Sequence, residues 1–196
     1  MAEVKILVQG YAQEGNENEF ASSTVVLIRD GGLNIVVDPG MDRERLLDAL
    51  KNEELTPDKI NYVILTHYHL DHTLLAGIFE KAKILDSGDI YSFDGKIKEH
   101  DGKVPGTDIE IIETPGHEIW HCSVLVQTEE FGKVAIVGDV FWWGDDEEQK
   151  TRKENLINLK DPYVKNMEQL VASRKKILEI ADYIIPGHGK MFKIEK

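Results

Sequence analysis

Cysteine is nearly absent from this 196-residue chain. Cys122 stands alone, so no internal disulfide can form, and the composition fits a reducing compartment such as the cytosol. Long apolar runs are also missing. Each hydrophobic stretch meets a charge or a glycine within a few residues, which argues against a membrane-spanning helix. Positive charge is the third scarcity: 23 Lys and Arg stand against 36 Asp and Glu, a net charge of −13. An acidic surface repels phosphate backbones and disfavours unaided RNA binding, although bound metal ions can reverse the sign locally. The opening Met1-Ala2-Glu3-Val4-Lys5 lacks the basic and apolar regions of a signal peptide, so a cytoplasmic location is expected. The remainder, 41% hydrophobic and 30% charged, is ordinary for a globular protein, and the length predicts one domain over residues 1–196.

Residues 4–8, 23–29 and 33–37 read as strands, the last two joined by the hairpin signal Asp30-Gly31-Gly32. Residues 43–51 read as a short helix with Leu46, Leu47 and Leu50 on one face. A strand over 61–65 and a helix over 73–83 follow, and residues 87–106, rich in glycine and charge, carry the least pattern. Strands are expected at 109–113, 123–127 and 134–137. Val164, Met167, Leu170, Val171, Ile177, Leu178 and Ala181 recur at helical spacing within 161–181, ahead of a last strand at 183–185. Strands and hairpins mixed with helices, without regular βαβ alternation, predict an α+β fold of two sheets covered by helices.

The densest chemistry lies in His67-Tyr68-His69-Leu70-Asp71-His72. Three of the chain's seven histidines and one carboxylate fall within six positions, just after an apolar strand. Imidazole and carboxylate together suit zinc, iron or manganese. Three later segments share a design in which a strand ends, a glycine lets the chain turn, and a ligand-type residue follows. They are Thr114-Pro115-Gly116-His117, Val137-Gly138-Asp139 and Pro186-Gly187-His188. Strand-end loops hold polar groups at a sheet edge while the core beneath fixes them. Five histidines and two aspartates suffice for two divalent metal ions with one shared ligand.

On these motifs the sequence resembles the metallo-β-lactamase superfamily across nearly its whole length. The resemblance implies a four-layer αββα sandwich with the metals at one edge, between the two β-rich halves. It implies that His67, His69 and His117 hold one metal, that Asp71, His72 and His188 hold the second, and that Asp139 bridges them. Asp38 matches a position that supports the site from behind. His69 stands where a redox diiron branch usually carries Glu, which favours hydrolysis. Asp139 is similar to the bridging residue of the glyoxalase II, lactonase and RNase branches, and true β-lactamases lack it. Residues 4–12, 138–141 and 173–189 resemble the group called metallo-β-lactamase domain-containing protein 1, an animal member of which is associated with RNA cleavage. The sequence departs from the wider family at Glu118, where many members carry Thr or Ser, which adds negative charge near the metals. It ends seven residues after Gly189, without the C-terminal helical domain through which glyoxalase II binds glutathione. It also lacks the inserted domain and long arm of RNA-processing relatives.

The implied chemistry is hydrolysis by a metal-bound hydroxide, since two divalent ions clamp the reacting oxygens and lower the pKa of bound water towards about 7. Asp71 would orient that hydroxide or take its proton. The expected cofactors are two divalent ions, zinc first, with iron and manganese also compatible. The expected substrate is a small molecule: an ester, thioester, lactone or relative. The alternatives are a metal-dependent ribonuclease or phosphodiesterase and, as a third reading, a non-catalytic metal-binding protein. Blander roles are expected elsewhere. His121 reads as a support rather than a ligand, His100 as a solvated loop residue, and Cys122 as a core thiol. Phe141-Trp142-Trp143 reads equally as core or as a substrate wall. Asp145-Asp146-Glu147-Glu148 reads as a solvated face, and Arg174-Lys175-Lys176 as an exposed helix face with substrate-anion contact as its alternative. The sequence is silent on oligomeric state.

Overall fold

Alternation of side chains along the central strands gives each of two sheets two apolar faces. The computed structural model describes residues 1–15 and 18–195. The first sheet contains β1 (Glu3–Val8), β4 (Val25–Asp30), β5 (Leu33–Val37), β6 (Tyr62–Ile64), β7 (Lys83–Leu85), β8 (Asp89–Tyr91) and β9 (Ile97–Glu99), in that order. The second contains β10 (Glu110–Glu113), β11 (Cys122–Gln127), β12 (Lys133–Ile136), β13 (Tyr183–Ile185) and β14 (Phe192–Lys193). A separate hairpin pairs β2 (Tyr11–Glu14) with β3 (Glu19–Ser22).

Val26, Ile28, Ile35, Val37 and Ile64 of the first sheet pack with Val124, Val126, Val134, Ile136 and Ile185 of the second in one buried cluster. The alternate residues Val25, Leu27, Val36 and Val63 face outwards onto Leu46 and Leu50 of α1 (Arg43–Asn52). On the far side, Leu125, Ala135 and Ile184 pack with Leu156 of α3 (Lys153–Ile157) and Leu170, Ile177 and Leu178 of α4 (Met167–Ile180). Three cores separate four layers, which is the expected αββα sandwich. The hairpin signal is confirmed, since Gly31 and Gly32 both take positive φ between β4 and β5. Among the described residues, no helix is long and apolar enough to cross a membrane.

One expected helix is missing and another is shortened, for different reasons. The 73–83 segment holds no α-helix beyond Thr73, the last residue of the single turn α2 (Leu70–Thr73); a 3-10 turn at Ala76–Ile78 follows, and Lys83 already opens β7. Tertiary bonds take the backbone groups a helix would need: Asp71 O accepts from Ser23 N at 2.9 Å, and Leu75 N donates to Gly40 O at 3.1 Å. Leu75 and Phe79, four apart, are still buried against the first sheet, so the spacing reported burial correctly and backbone conformation wrongly. The 161–181 helix begins only at Met167, where the Asn166 side chain caps Gln169 N at 3.1 Å. Lys165 N and Asn166 N donate instead to Gly116 O, each at 2.9 Å, tying this loop to the one that carries His117.

In the basic cluster on α4, Lys175 and Lys176 are exposed as expected, but Arg174 differs. Arg174 is fully buried. Its guanidinium donates to Val140 O at 3.0 Å, Leu159 O at 2.6 Å and Ile157 O at 3.4 Å, and burial lowers its pKa to about 10. It clamps loop carbonyls, including the one directly after Asp139, so neither an exposed face nor substrate contact describes it. His100 is half-buried and structural: Nε2 lies 3.0 Å from Asp86 O, and Gly102 N donates to Nδ1 at 3.0 Å. Cys122 is buried with its thiol directed at Leu65 O, as expected of a core cysteine.

Candidate metal centre

The seven predicted residues meet at one edge of the sandwich because strands of both sheets end there. β5 and β6 are parallel and deliver Asp38 and His67; β12 and β13 are parallel and deliver Asp139 and His188. Cys122 N to Thr66 O (2.8 Å) and Thr24 N to Gly187 O (2.7 Å) join the sheets beneath the site. Gly187 is required there, since a Cβ at this position would lie 1.9 Å from Asp139 Oδ1.

Two groups of ligand atoms form. His67, His69, His117 and Asp139 offer atoms all within 4.8 Å of one another, and so do Asp71, His72 and His188. In the first group, His117 Nε2 is 3.2 Å from His69 Nδ1 and 3.4 Å from Asp139 Oδ2, and His67 Nε2 is 3.7 Å from that same oxygen. Donors about 2.0–2.1 Å from a tetrahedral zinc lie roughly 3.3–3.4 Å apart, so these separations fit an ion. The other oxygen of Asp139 serves the second group. Oδ1 lies 3.3 Å from His72 Nε2 and 3.8 Å from His188 Nε2, and Asp71 Oδ2 lies 3.1 Å from His188 Nε2.

The outer hydrogen bonds show which ring nitrogens are free to face an ion. The Thr66 hydroxyl donates its only proton to Asp38 Oδ2 at 2.7 Å, so at 3.0 Å it must accept from His67 Nδ1. Asp38 Oδ2 accepts from His72 Nδ1 at 2.8 Å, Asp161 Oδ2 from His117 Nδ1 at 2.7 Å, and the Tyr11 carbonyl from His188 Nδ1 at 3.0 Å. In each neutral ring the inward Nε2 then carries a lone pair. His69 is turned the other way, with Nδ1 inward and Nε2 3.1 Å from Glu118 Oε1. His67 Nε2, His72 Nε2 and Asp139 Oδ1 are buried without a hydrogen-bond partner, a costly arrangement unless something else occupies their lone pairs. The donor set therefore fits divalent metal ions.

Asp38 supports the site from behind, as expected. It holds φ at +47° and also accepts Thr66 N at 2.8 Å, so three donors stabilise a conformation uncommon for a non-glycine residue. Burial opposes ionisation of Asp139, but the charges of His72 and His188 hold it well below the usual carboxylate range. Burial likewise opposes charging of His72, yet Asp139 and Asp38 more than offset it and hold His72 well above the ordinary histidine value. Burial and the neighbouring His72 hold His67 well below it.

His121 is a support, with Nδ1 3.0 Å from Thr114 Oγ1 and its ring stacked on His67 at 5.0 Å; burial lowers its pKa to about 3. The aromatic triplet divides. Phe141 and Trp143 are core residues, whereas Trp142 is half-buried with its ring 6.1 Å from His188 and 5.8 Å from Tyr163. Asp145 accepts from Ala12 N and Gln13 Nε2, so the acidic run partly braces the β2–β3 hairpin. Asp161 and Thr66 escaped the sequence reading. The Asp161-Pro162 turn before the Asn166 cap was the available signal, and the helical periodicity that follows masked it.

Residues 19–88 match the family model described as the metallo-beta-lactamase superfamily. The metallo-beta-lactamase domain-containing protein 1 of Xenopus laevis is 32% identical over 98% of this chain and 82% of its own length. Its namesake in Rattus norvegicus is also 32% identical, over 82% of this chain and 63% of the rat protein. Among solved structures, a metallo-beta-lactamase-like protein of Thermotoga maritima superposes with a TM-score of 0.76 at 22% identity, covering 98% of this chain and 99% of the other. AidC, a dizinc quorum-quenching lactonase, superposes with a TM-score of 0.68 at 16% identity, covering 91% and 77%. These two likenesses show the fold. The chain belongs to the metallo-beta-lactamase superfamily and is a metal-dependent hydrolase of it.

Proposed function

We propose that this single domain is a dinuclear hydrolase. In this reading His67, His69 and His117 bind one divalent ion, Asp71, His72 and His188 bind a second, and Asp139 bridges the pair. The observation that carries it is the division of Asp139, whose Oδ2 faces one ligand group at 3.4–3.7 Å while Oδ1 faces the other at 3.3–3.8 Å. Bound ions, zinc first, would supply an acidified water and a Lewis acid for the developing oxyanion. The protein's own residues do the rest. Asp139 keeps its charge in a buried position and fixes the spacing of the halves. Asp71, with 22% of its side chain exposed, is the more accessible aspartate. Burial raises its pKa, but the adjacent His188 ring and the charge of His72 outweigh this and hold it below the usual carboxylate value. A carboxylate at that place orients the attacking water and takes up its proton.

A small ester, thioester or lactone is the substrate class proposed, supported by the shared fold with a dizinc lactonase. The net charge of −13 disfavours RNA, and the ribonuclease reading is second for that reason. The cysteine-poor composition suits work in the cytoplasm. The experiment is to count metals in purified protein and assay it on lactone, thioester, phosphodiester and single-stranded RNA substrates beside Asp71→Ala. Turnover of small esters that Asp71→Ala abolishes is expected. Wild-type turnover in an Asp71→Ala protein that still carries both ions would contradict the role given to Asp71. Activity on RNA alone would transfer the function to the second reading.

A further inference from the structure

We infer that Glu118 is a positioning residue for His69, and that metal occupancy of the His67–His69–His117 group depends on it; this rests on the metal-centre reading above. Two consecutive residues flank the two nitrogens of one ring, and only the second can accept its proton. His117 Nε2 lies 3.2 Å from His69 Nδ1, and Glu118 Oε1 lies 3.1 Å from His69 Nε2. A carboxylate only accepts, so Nε2 must carry the proton, which leaves the inward Nδ1 lone pair free for an ion. His69 is the one histidine of the five that presents Nδ1, so it needs a partner on the opposite nitrogen from the others.

The position of Glu118 is enforced from below. Gly116 adopts φ +136°, with Leu170 of α4 so close that a Cβ would meet its backbone at 2.2 Å. Gly116 N donates to Glu118 O at 3.0 Å, and Gly116 O accepts from Lys165 N and Asn166 N at 2.9 Å each. The loop therefore has little room to shift. Glu118 also differs in kind from the other carboxylates behind the histidines. Asp38 and Asp161 are buried, whereas the Glu118 side chain is 25% exposed and shares Lys165 Nζ at 3.6 Å. His69, 33% exposed, is the least enclosed ring of the five. The outermost ligand thus rests on the outermost anchor, and this half of the centre is where occupancy can be lost without disturbing the core.

The test compares wild-type protein with Glu118→Ala and Glu118→Gln. Each is stripped of metal, titrated with zinc against a chromophoric chelator, and examined by visible absorption after cobalt substitution. Glu118→Ala is expected to weaken one of the binding steps by about 10–100-fold and to alter the cobalt band. The melting temperature of the metal-free protein should stay unchanged. Glu118→Gln should recover most of the affinity, because its amide oxygen accepts the same N–H. Unchanged affinity and cobalt absorption in Glu118→Ala would overturn the inference. So would a loss of affinity matched by a fall in metal-free melting temperature, which would indicate a loosened loop. A wild-type protein that takes up no metal would instead overturn the reading of the site itself.

Discussion

Around His67 the proposed ligands are three imidazoles, and burial together with the charge on His72 favours the neutral His67 ring. Around His72 the proposed ligands include the carboxylate of Asp71, and Asp139 and Asp38 favour the charged His72 ring despite its burial. The halves lie side by side around Asp139, yet without an ion the surroundings of His67 favour a neutral ring and those of His72 a charged one. The anchors differ correspondingly. The first half combines the partly exposed Glu118 with the buried Asp161, whereas the second rests on Asp38, which is buried and accepts from three donors. The contrast teaches that, on the proposed reading, metal uptake by the second half would exchange ion for proton, and uptake by the first would fill lone pairs.

The largest expected effect removes what the halves share. Asp139→Ala should reduce bound metal, counted by mass spectrometry, from about two ions per chain to below one, with hydrolysis at background. Next come changes to the anchors. Asp161→Ala should weaken the first half by about 10–100-fold in metal affinity. Asp38→Ala should weaken the second by about as much and, because Asp38 also holds the Thr66 hydroxyl that accepts from His67, should reach the first half too. Asp38→Ala should also lower the melting temperature, because Thr66 N loses a buried acceptor at a cost of about 1–3 kcal/mol.

A pH series sharpens the same contrast. In the metal-free fold the value of His72 lies above its unfolded one of about 6.5, so its charge stabilises the fold below that pH, and the contribution fades as pH rises through the folded value. An ion entering the second half must displace that proton. Its apparent affinity should therefore climb about tenfold per pH unit until the folded value is passed, while His67 adds no such slope at neutral pH. Calorimetric titrations at several pH values separate the two steps. The smallest effect is expected away from both halves. Arg174→Leu strands the carbonyls of Val140 and Leu159, each worth about 1–3 kcal/mol, and should lower thermal stability without changing metal stoichiometry.

The inward-facing residues were legible because each follows a strand and a turn, so chain order alone brings them to a sheet edge. The layers were legible for a related reason: Val25 to Ile28, Val124 to Val126 and Val134 to Ile136 alternate between two buried faces. What escaped depends on partners distant in sequence. Asp161 reaches His117 across 44 residues, and Tyr11 reaches His188 across 177 through a backbone carbonyl that has no side-chain signature. The 73–83 segment carries a helical spacing, but Ser23 and Gly40 claim its backbone groups, and no local pattern reports that. Arg174 read as surface because charge usually is. Its burial follows from loop carbonyls that only the folded chain assembles around it.

The most direct test of the two-halved centre is anomalous diffraction from crystals of the zinc-loaded protein. Two peaks about 3.5–4 Å apart are predicted, one bound by His67, His69 and His117 and the other by Asp71, His72 and His188, with one oxygen of Asp139 on each. A single peak, or two peaks of which only one contacts Asp139, would contradict the account.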